Sequence, residues 1–319
     1  MICRLLFKCV CILLLPAVLF CTGCLVEKAP QKYPYILATE QFTTSFMVLN
    51  PNVDILSPEA IVWRYNPAVD WDIENKHLRA FRNPSDAKIV QNGSKLLFTT
   101  SGGVCGLIDL TQKKLDWLVF ANGNPHSAEL LPDGNAVTVS SIGSYLMLFD
   151  LKKDIKGSIS KKYILKSAHG VVWDNKNQLL YACGRNGVVS YKYDPEKVEL
   201  TPVREYNLDL PERIADAHDL IIDPVDGKLL VTVTRGLLKL DQITGAFEVI
   251  TPHRRIKSVS VVPEIGIMIV MAEKGTWWSD KLRRVDSRGA ITDFIRMPHM
   301  HFYKARWISD SENIWLKNK

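Results

Sequence analysis

The stretch Asn124-Pro-His-Ser-Ala-Glu-Leu-Leu-Pro-Asp-Gly-Asn135-Ala-Val-Thr-Val-Ser-Ser141 decides the fold, because the chain repeats it. A polar head is followed by a short apolar strand, a turn rich in Asp, Asn and Gly, and a second β-rich strand. The same order returns in Ala168-His-Gly-Val-Val-Trp-Asp-Asn-Lys-Asn177-Gln-Leu-Leu-Tyr-Ala-Cys183 and in Ala217-His-Asp-Leu-Ile-Ile-Asp-Pro-Val-Asp-Gly227-Lys-Leu-Leu-Val-Thr-Val-Thr234. Weaker copies begin at Ser85-Asp86-Ala87-Lys88, Lys257-Ser258-Val259-Ser260 and Tyr303-Lys304-Ala305-Arg306.

Aligned on the head, the copies start at 85, 126, 169, 218, 257 and 303, with spacings of 41, 43, 49, 39 and 46 residues. A period in the forties with strand-turn-strand content is what one blade of a β-propeller requires. Gln91-Asn92-Gly93, Asp133-Gly134, Asp226-Gly227 and Glu264-Ile265-Gly266 supply tight hairpin turns. A third strand is expected over Val104–Leu110, Ser144–Leu151, Val188–Tyr193, Leu237–Leu240 and Thr276–Ser279. No long stripe of apolar residues at helical period appears, so the chain reads as all-β. The C-terminal pieces Phe302–Ile308 and Ile314–Leu316 form only the inner part of a blade. The N-terminal pieces Tyr35–Glu40, Phe46–Leu49 and Ile61–Tyr65 lack an inner strand. Together they complete a six-bladed propeller closed by strands from both termini, with no open edge.

Upstream lie Arg4 and Lys8, an apolar run from Cys9 to Phe20, and Cys21-Thr22-Gly23-Cys24. A short basic start and an apolar run too short to span a bilayer read as a secretory signal over 1–23. Thr-Gly-Cys resembles the bacterial lipobox, although Cys21 stands where Leu is usual. Cys24 is then the expected lipidation site, 24–34 a tether, and 35–319 one domain. The expected location is the cell envelope, as a monomeric outer-membrane lipoprotein anchored to the membrane by lipid.

Five of the seven cysteines fall in the first 24 residues. Cys105 and Cys183 sit in apolar runs and read as buried thiols, with one bridge between them as the alternative. The formal charge of +6 becomes +4 without the signal, and the basic residues are dispersed. No basic run interleaved with aromatics supports nucleic-acid binding. No phosphate loop, nucleophile elbow or His-Glu-x-x-His motif occurs.

The stretches His77-Leu-Arg-Ala-Phe-Arg-Asn-Pro-Ser-Asp-Ala-Lys88, Asn124 to Asn135, Ala168-His-Gly and Asp216-Ala-His-Asp resemble a group of uncharacterised lipoprotein propellers of Bacteroidetes-type bacteria. The resemblance covers most of the mature chain. It implies the propeller and its envelope location, and brings no activity. Lyases that cleave uronic-acid polysaccharides also use propellers carrying histidines and a metal, which is an analogy of architecture.

In a propeller the inner strands line a central channel and their starts gather on one face. Round the ring the heads read Ser85, His126, His169, His218, Lys257 and Tyr303, so three of seven histidines share one repeat position. Three readings follow. The imidazoles of His126, His169 and His218 hold a divalent metal, zinc or manganese, with Asp86, Asp219 or Glu129 orienting them. Alternatively the histidines act without metal beside Lys257 and Tyr303 as acid and base. Or they are structural, bonding neighbouring blades.

The loops expected on the same face carry Arg185, Arg235 and Glu273, and Trp71, His77, Arg82, Arg213, Arg254 and Arg255. Arginines round a histidine funnel suit an anion such as a sugar carboxylate, with Asp86, Arg185, Arg235 and His301 as ligand contacts. Trp277-Trp278 either stack on a sugar or pack between blades. The leading expectation is a funnel binding, and acting on, a small anionic carbohydrate as a lyase or hydrolase. Its rival is a non-catalytic scaffold displaying loops to a protein partner.

Overall fold

The computed structural model describes residues 32–70, 75–185, 187–208, 216–312 and 314–317. The signal, the Cys24 lipidation site, most of the tether, Trp71 and Arg213 lie outside these residues. Tyr33–Lys319 forms one unit by its internal contacts. Among the described residues no helix is long and apolar enough to cross a membrane.

Six four-stranded antiparallel sheets follow one another. Their inner strands are Pro84–Val90, Pro125–Leu130, Gly170–Asp174, Ala217–Ile222, Ile256–Val262 and Phe302–Trp307, which define blades one to six. Blade six takes its inner strand from the C-terminal end and its other three strands, Ile36–Glu40, Ser45–Leu49 and Ile61–Tyr65, from the N-terminal end. Ile36 faces Trp307 and Ala38 faces Ala305 across this join. The expected turns are present: Gln91, Asn92, Gly93, Gly134, Gly227 and Gly266 all have positive φ.

The core is divided among the six gaps between blades, because each twisted sheet presents an apolar face to its neighbour. Phe46, Val48 and Trp63 of blade six meet Leu96 and Phe98 of blade one. Val137 and Leu148 of blade two meet Val171 and Leu180 of blade three. Cys105 lies in the gap between blades one and two, and Cys183 between three and four. Both are free thiols, and burial pushes both pKa values up, which makes them unreactive.

Two expected elements differ. Thr276–Ser279 is a loop held by Glu273 N donating to Trp278 O, with Gly275 at φ 84°. The third strand of blade five is Lys281–Val285, whose basic residues hid its alternation. Ile314–Lys317 is a helical turn rather than a strand, and its Trp315 packs edge-on to Trp63.

The head residue occupies a bulge. Pro84 pairs with Thr100 and Asp86 with Thr99, leaving Ser85 extra. His126, His218 and Lys257 are left extra in the same way. A bulge re-aims a side chain and breaks the strict alternation of faces. Head and following residue can therefore both enter the channel, giving a second ring of Asp86, Ser127, Gly170, Asp219, Ser258 and Lys304, all buried.

Gly170 is the small member of that ring. A Cβ there would lie 2.8 Å from Cys183 Sγ and 2.8 Å from the backbone N of Leu220 in the next blade. Gly170→Ser, the residue type found at this position in two other blades, is expected to lower stability by about 1–3 kcal/mol. Urea unfolding of the two proteins measures it; equal midpoints would show that the gap between blades three and four yields freely.

Candidate functional site

The head ring is assembled as the repeat requires. Tyr303 Oη and His126 Nδ1 share a hydrogen bond at 3.2 Å. The His126 and His169 rings stack with centroids 4.5 Å apart and planes 15° apart, and His218 meets His169 edge-on at 5.0 Å. His169 Nδ1 bonds the Ser167 carbonyl at 2.7 Å. A carbonyl can only accept, so this nitrogen carries the proton and Nε2 is bare. Ser167 has φ 51°, the turn that aims its carbonyl inward. Lys257 Nζ donates to His218 Nε2 at 3.5 Å, and the buried Nδ1 of His218 has no partner among the described residues.

Stacked rings run their nitrogens side by side. Among the described residues no group of three or more His, Cys, Asp or Glu is placed to share a metal ion. The geometry therefore does not favour the metal reading of the three imidazoles. The carboxylates expected to orient them are engaged elsewhere. Asp86 accepts from Arg306 at 2.8 Å and Ser127 at 2.5 Å; Asp219 accepts from Lys304 at 2.9 Å and Arg306 at 3.0 Å; Glu129 pairs with Lys88 at 2.8 Å. The imidazoles are oriented instead by Ser167, Tyr303 and Lys257.

Electrostatics follow from burial. Desolvation is the main force holding His126, His169 and His218 below the usual histidine range, His169 to about 4, and nearby ammonium groups add to it. All three are neutral at pH 7. Desolvation also lowers Lys257 to about 8, against a raising effect of Asp216. Burial raises the Tyr303 phenol, so it remains a donor. Burial would raise Asp86 as well, but Arg306 and Lys304 outweigh it and hold the carboxylate ionised.

Above the heads is an open well of about 310 Å³, lined by His126, His169, Lys257 and Tyr303 with Gln41, Asn83, Ser101, Asn124 and Trp277. Ser85, by contrast, is a structural member of the ring, donating to the Pro125 carbonyl at 2.7 Å. Asp86, Arg185, Arg235 and His301 do not line the well. Asp86 is sealed beneath it, Arg185 pairs with Asp216 at 3.2 Å, and Arg235 is exposed on its loop. His301 stacks on Trp278 at 3.5 Å, and Glu273 pairs with Arg283. Arg82, Arg254 and Arg255 are exposed, and His77 lies in the short helix Asn75–Phe81.

The amides were missed by sequence reasoning, and Trp277 was named there with sugar stacking and packing between blades as its two readings. One signal for the amides was there: Asn83-Pro84 and Asn124-Pro125 precede heads one and two, and both asparagines have positive φ, which Asn tolerates. Trp277 reaches the well because Thr276–Ser279 is a loop.

A closed ring of six four-stranded blades round a polar well with acid-base groups defines a six-bladed β-propeller. Within that class the chain belongs to a family of unknown function, DUF6528, whose model matches residues 28–317. Among curated proteins none matches. A protein of unknown function from Bacteroides caccae is similar in structure, with TM-score 0.58, 12% identity, and 86% of this chain and 98% of that chain covered. A catalytically inactive virginiamycin B lyase from Staphylococcus aureus with quinupristin has TM-score 0.53 and 14% identity, covering 83% and 85%. At these identities the likeness is one of fold.

Proposed function

We propose that the well binds a small anionic carbohydrate-type ligand and that its acid-base groups act on it, as in a lyase or hydrolase. The observation that carries this reading is Lys257. It is a partly buried ammonium on the wall of the well, in ion-pair contact with no carboxylate among the described residues: Asp216, which favours its charge from a distance, is paired with Arg185, and the neutral imidazole of His218 lies 3.5 Å away. A buried charge lacking its counter-charge is costly unless something else supplies one. The unpartnered His218 nitrogen is a second cost in the same place. Such departures from polar satisfaction gather at functional sites. The amides of Gln41, Asn83 and Asn124 suit sugar hydroxyls, and Trp277 offers a ring face. The bare Nε2 of His169 is a proton acceptor, and the Lys257 ammonium and the Tyr303 phenol are donors. A scaffold for a protein partner has no need of an unpaired ammonium in a well. From the N-terminal sequence alone we further propose a monomer held at the cell envelope by a lipid on Cys24.

Galacturonate binding measured by calorimetry tests the ligand class. Lys257→Met is expected to weaken it by about 2 kcal/mol, the value of a hydrogen bond to a charged group. The bound anion favours the protonated amine, so affinity is highest below pH 8 and falls by about tenfold per unit above it. Affinity indifferent to Lys257 and to pH between 7 and 9.5 would remove the reading.

A further inference from the structure

We infer, resting on the anionic-saccharide reading, that the site takes the end of a sugar chain: one acidic terminal ring in the well, and the next ring on Trp277 at its rim.

The argument begins with the floor. Immediately below the heads, Lys304 bonds Asp219 at 2.9 Å, and Arg306 bonds Asp86 at 2.8 Å and Asp219 at 3.0 Å. Lys304, Asp86 and Asp219 are at most 1% exposed. These side chains come from blades six, one and four, so they span the channel. A separate cavity of about 250 Å³ opens only on their far side, against Lys88 and Glu129. The channel is thus a blind well and no chain can thread it. At about 310 Å³ the well is at the small end of ligand sites. A polymer reaches Lys257 only by inserting its end.

The rim says where the rest of the chain goes. Trp277 lines the well yet is 56% exposed. Its indole is pinned by Nε1 donating to Gln41 Oε1 at 2.9 Å. Nearby Phe42, 69% exposed, leans on the His301 ring, which stacks on Trp278. An exposed aromatic wall therefore leaves the well on one side, between blades five and six. Flat rings at a fixed orientation are a platform for a second sugar, with little ordering cost on binding.

Calorimetry with galacturonic acid, its di- and trisaccharide, and polygalacturonate reads this directly. Affinity is expected to rise about five- to tenfold from one ring to two, the range of one aromatic stacking contact. It then levels off at three. Trp277→Ala is expected to bring the ratio between one ring and two to within about twofold of unity. Shearing the polymer at constant mass is expected to raise the amount bound in proportion to the new ends. Binding of the single sugar without a gain at two, or polymer binding blind to shearing, would overturn the end-recognition inference and leave the ligand class standing. Silence from every acidic sugar would remove both.

Discussion

Asp219→Ala is expected to lower stability by about 3–5 kcal/mol, with the thermal midpoint falling by about 5–8 °C. The carboxylate is fully buried and accepts from Lys304, from Arg306 and from the backbone N of Val259. Removing it leaves the sealed Lys304 and the largely buried Arg306 to share Asp86, which lies 3.6 Å from Lys304. Replacing such a network by apolar groups is often harmless, whereas breaking it on one side is not. The double variant Asp219→Ala with Arg306→Leu restores one cation to one carboxylate, and is expected to recover most of the loss. Thermal unfolding of the single and double variants decides the matter. A double variant no better than the single would mean that the volume of the side chains, rather than their charge, holds the channel.

Acidification is the second large effect. The three histidines are neutral in the folded protein and titrate normally when unfolded. Below pH about 6.5 the unfolded chain therefore binds more protons, so stability present above that value is lost as pH falls. For His169, whose folded value is about 4, the loss amounts to roughly 3 kcal/mol by pH 4. His126 and His218 act in the same direction. Asp86 works at lower pH in the same direction: its depressed folded value contributes stability that is present above the free-carboxyl range and is lost as pH falls through and below it. The expected result is a fall in urea midpoint between pH 7 and pH 5 that His169→Gln reduces. An identical pH dependence in the variant would show that the His169 imidazole is protonated in the folded state too.

These two layers were not equally legible in the sequence. The head ring could be aligned because one residue type, His, repeats in three blades at the same offset. The ring below works by opposing charges across the channel. Asp86 and Asp219 must face Lys304 and Arg306, so no residue type repeats and alignment is blind to it. Asp86 consequently looked like a ligand contact and is part of the floor. The bulges that admit both rings cannot be read from period-two alternation, since they break it. The blades themselves were legible from hairpin turns and spacing, except where Lys281–Val285 carries three basic residues. Trp277 was visible as a residue, but the loop that turns it to the well depends on contacts distant in sequence.

The join in blade six has a temporal consequence. The strand Phe302–Trp307 is the last of the 24 to be synthesised, and pairs with the first, Ile36–Glu40. It alone delivers Tyr303 to the heads and both cations, Lys304 and Arg306, to the floor. Everything emerging earlier is an open arc whose Asp86 and Asp219 have neither Lys304 nor Arg306 to meet. Bringing partners so far apart in sequence together is the slow, entropically costly kind of step. The head ring, the floor beneath it and the closure of the ring are therefore completed in one late event. A chain cut short by its last 18 residues, from Phe302 on, retains the strands of five complete blades and lacks Tyr303, Lys304 and Arg306.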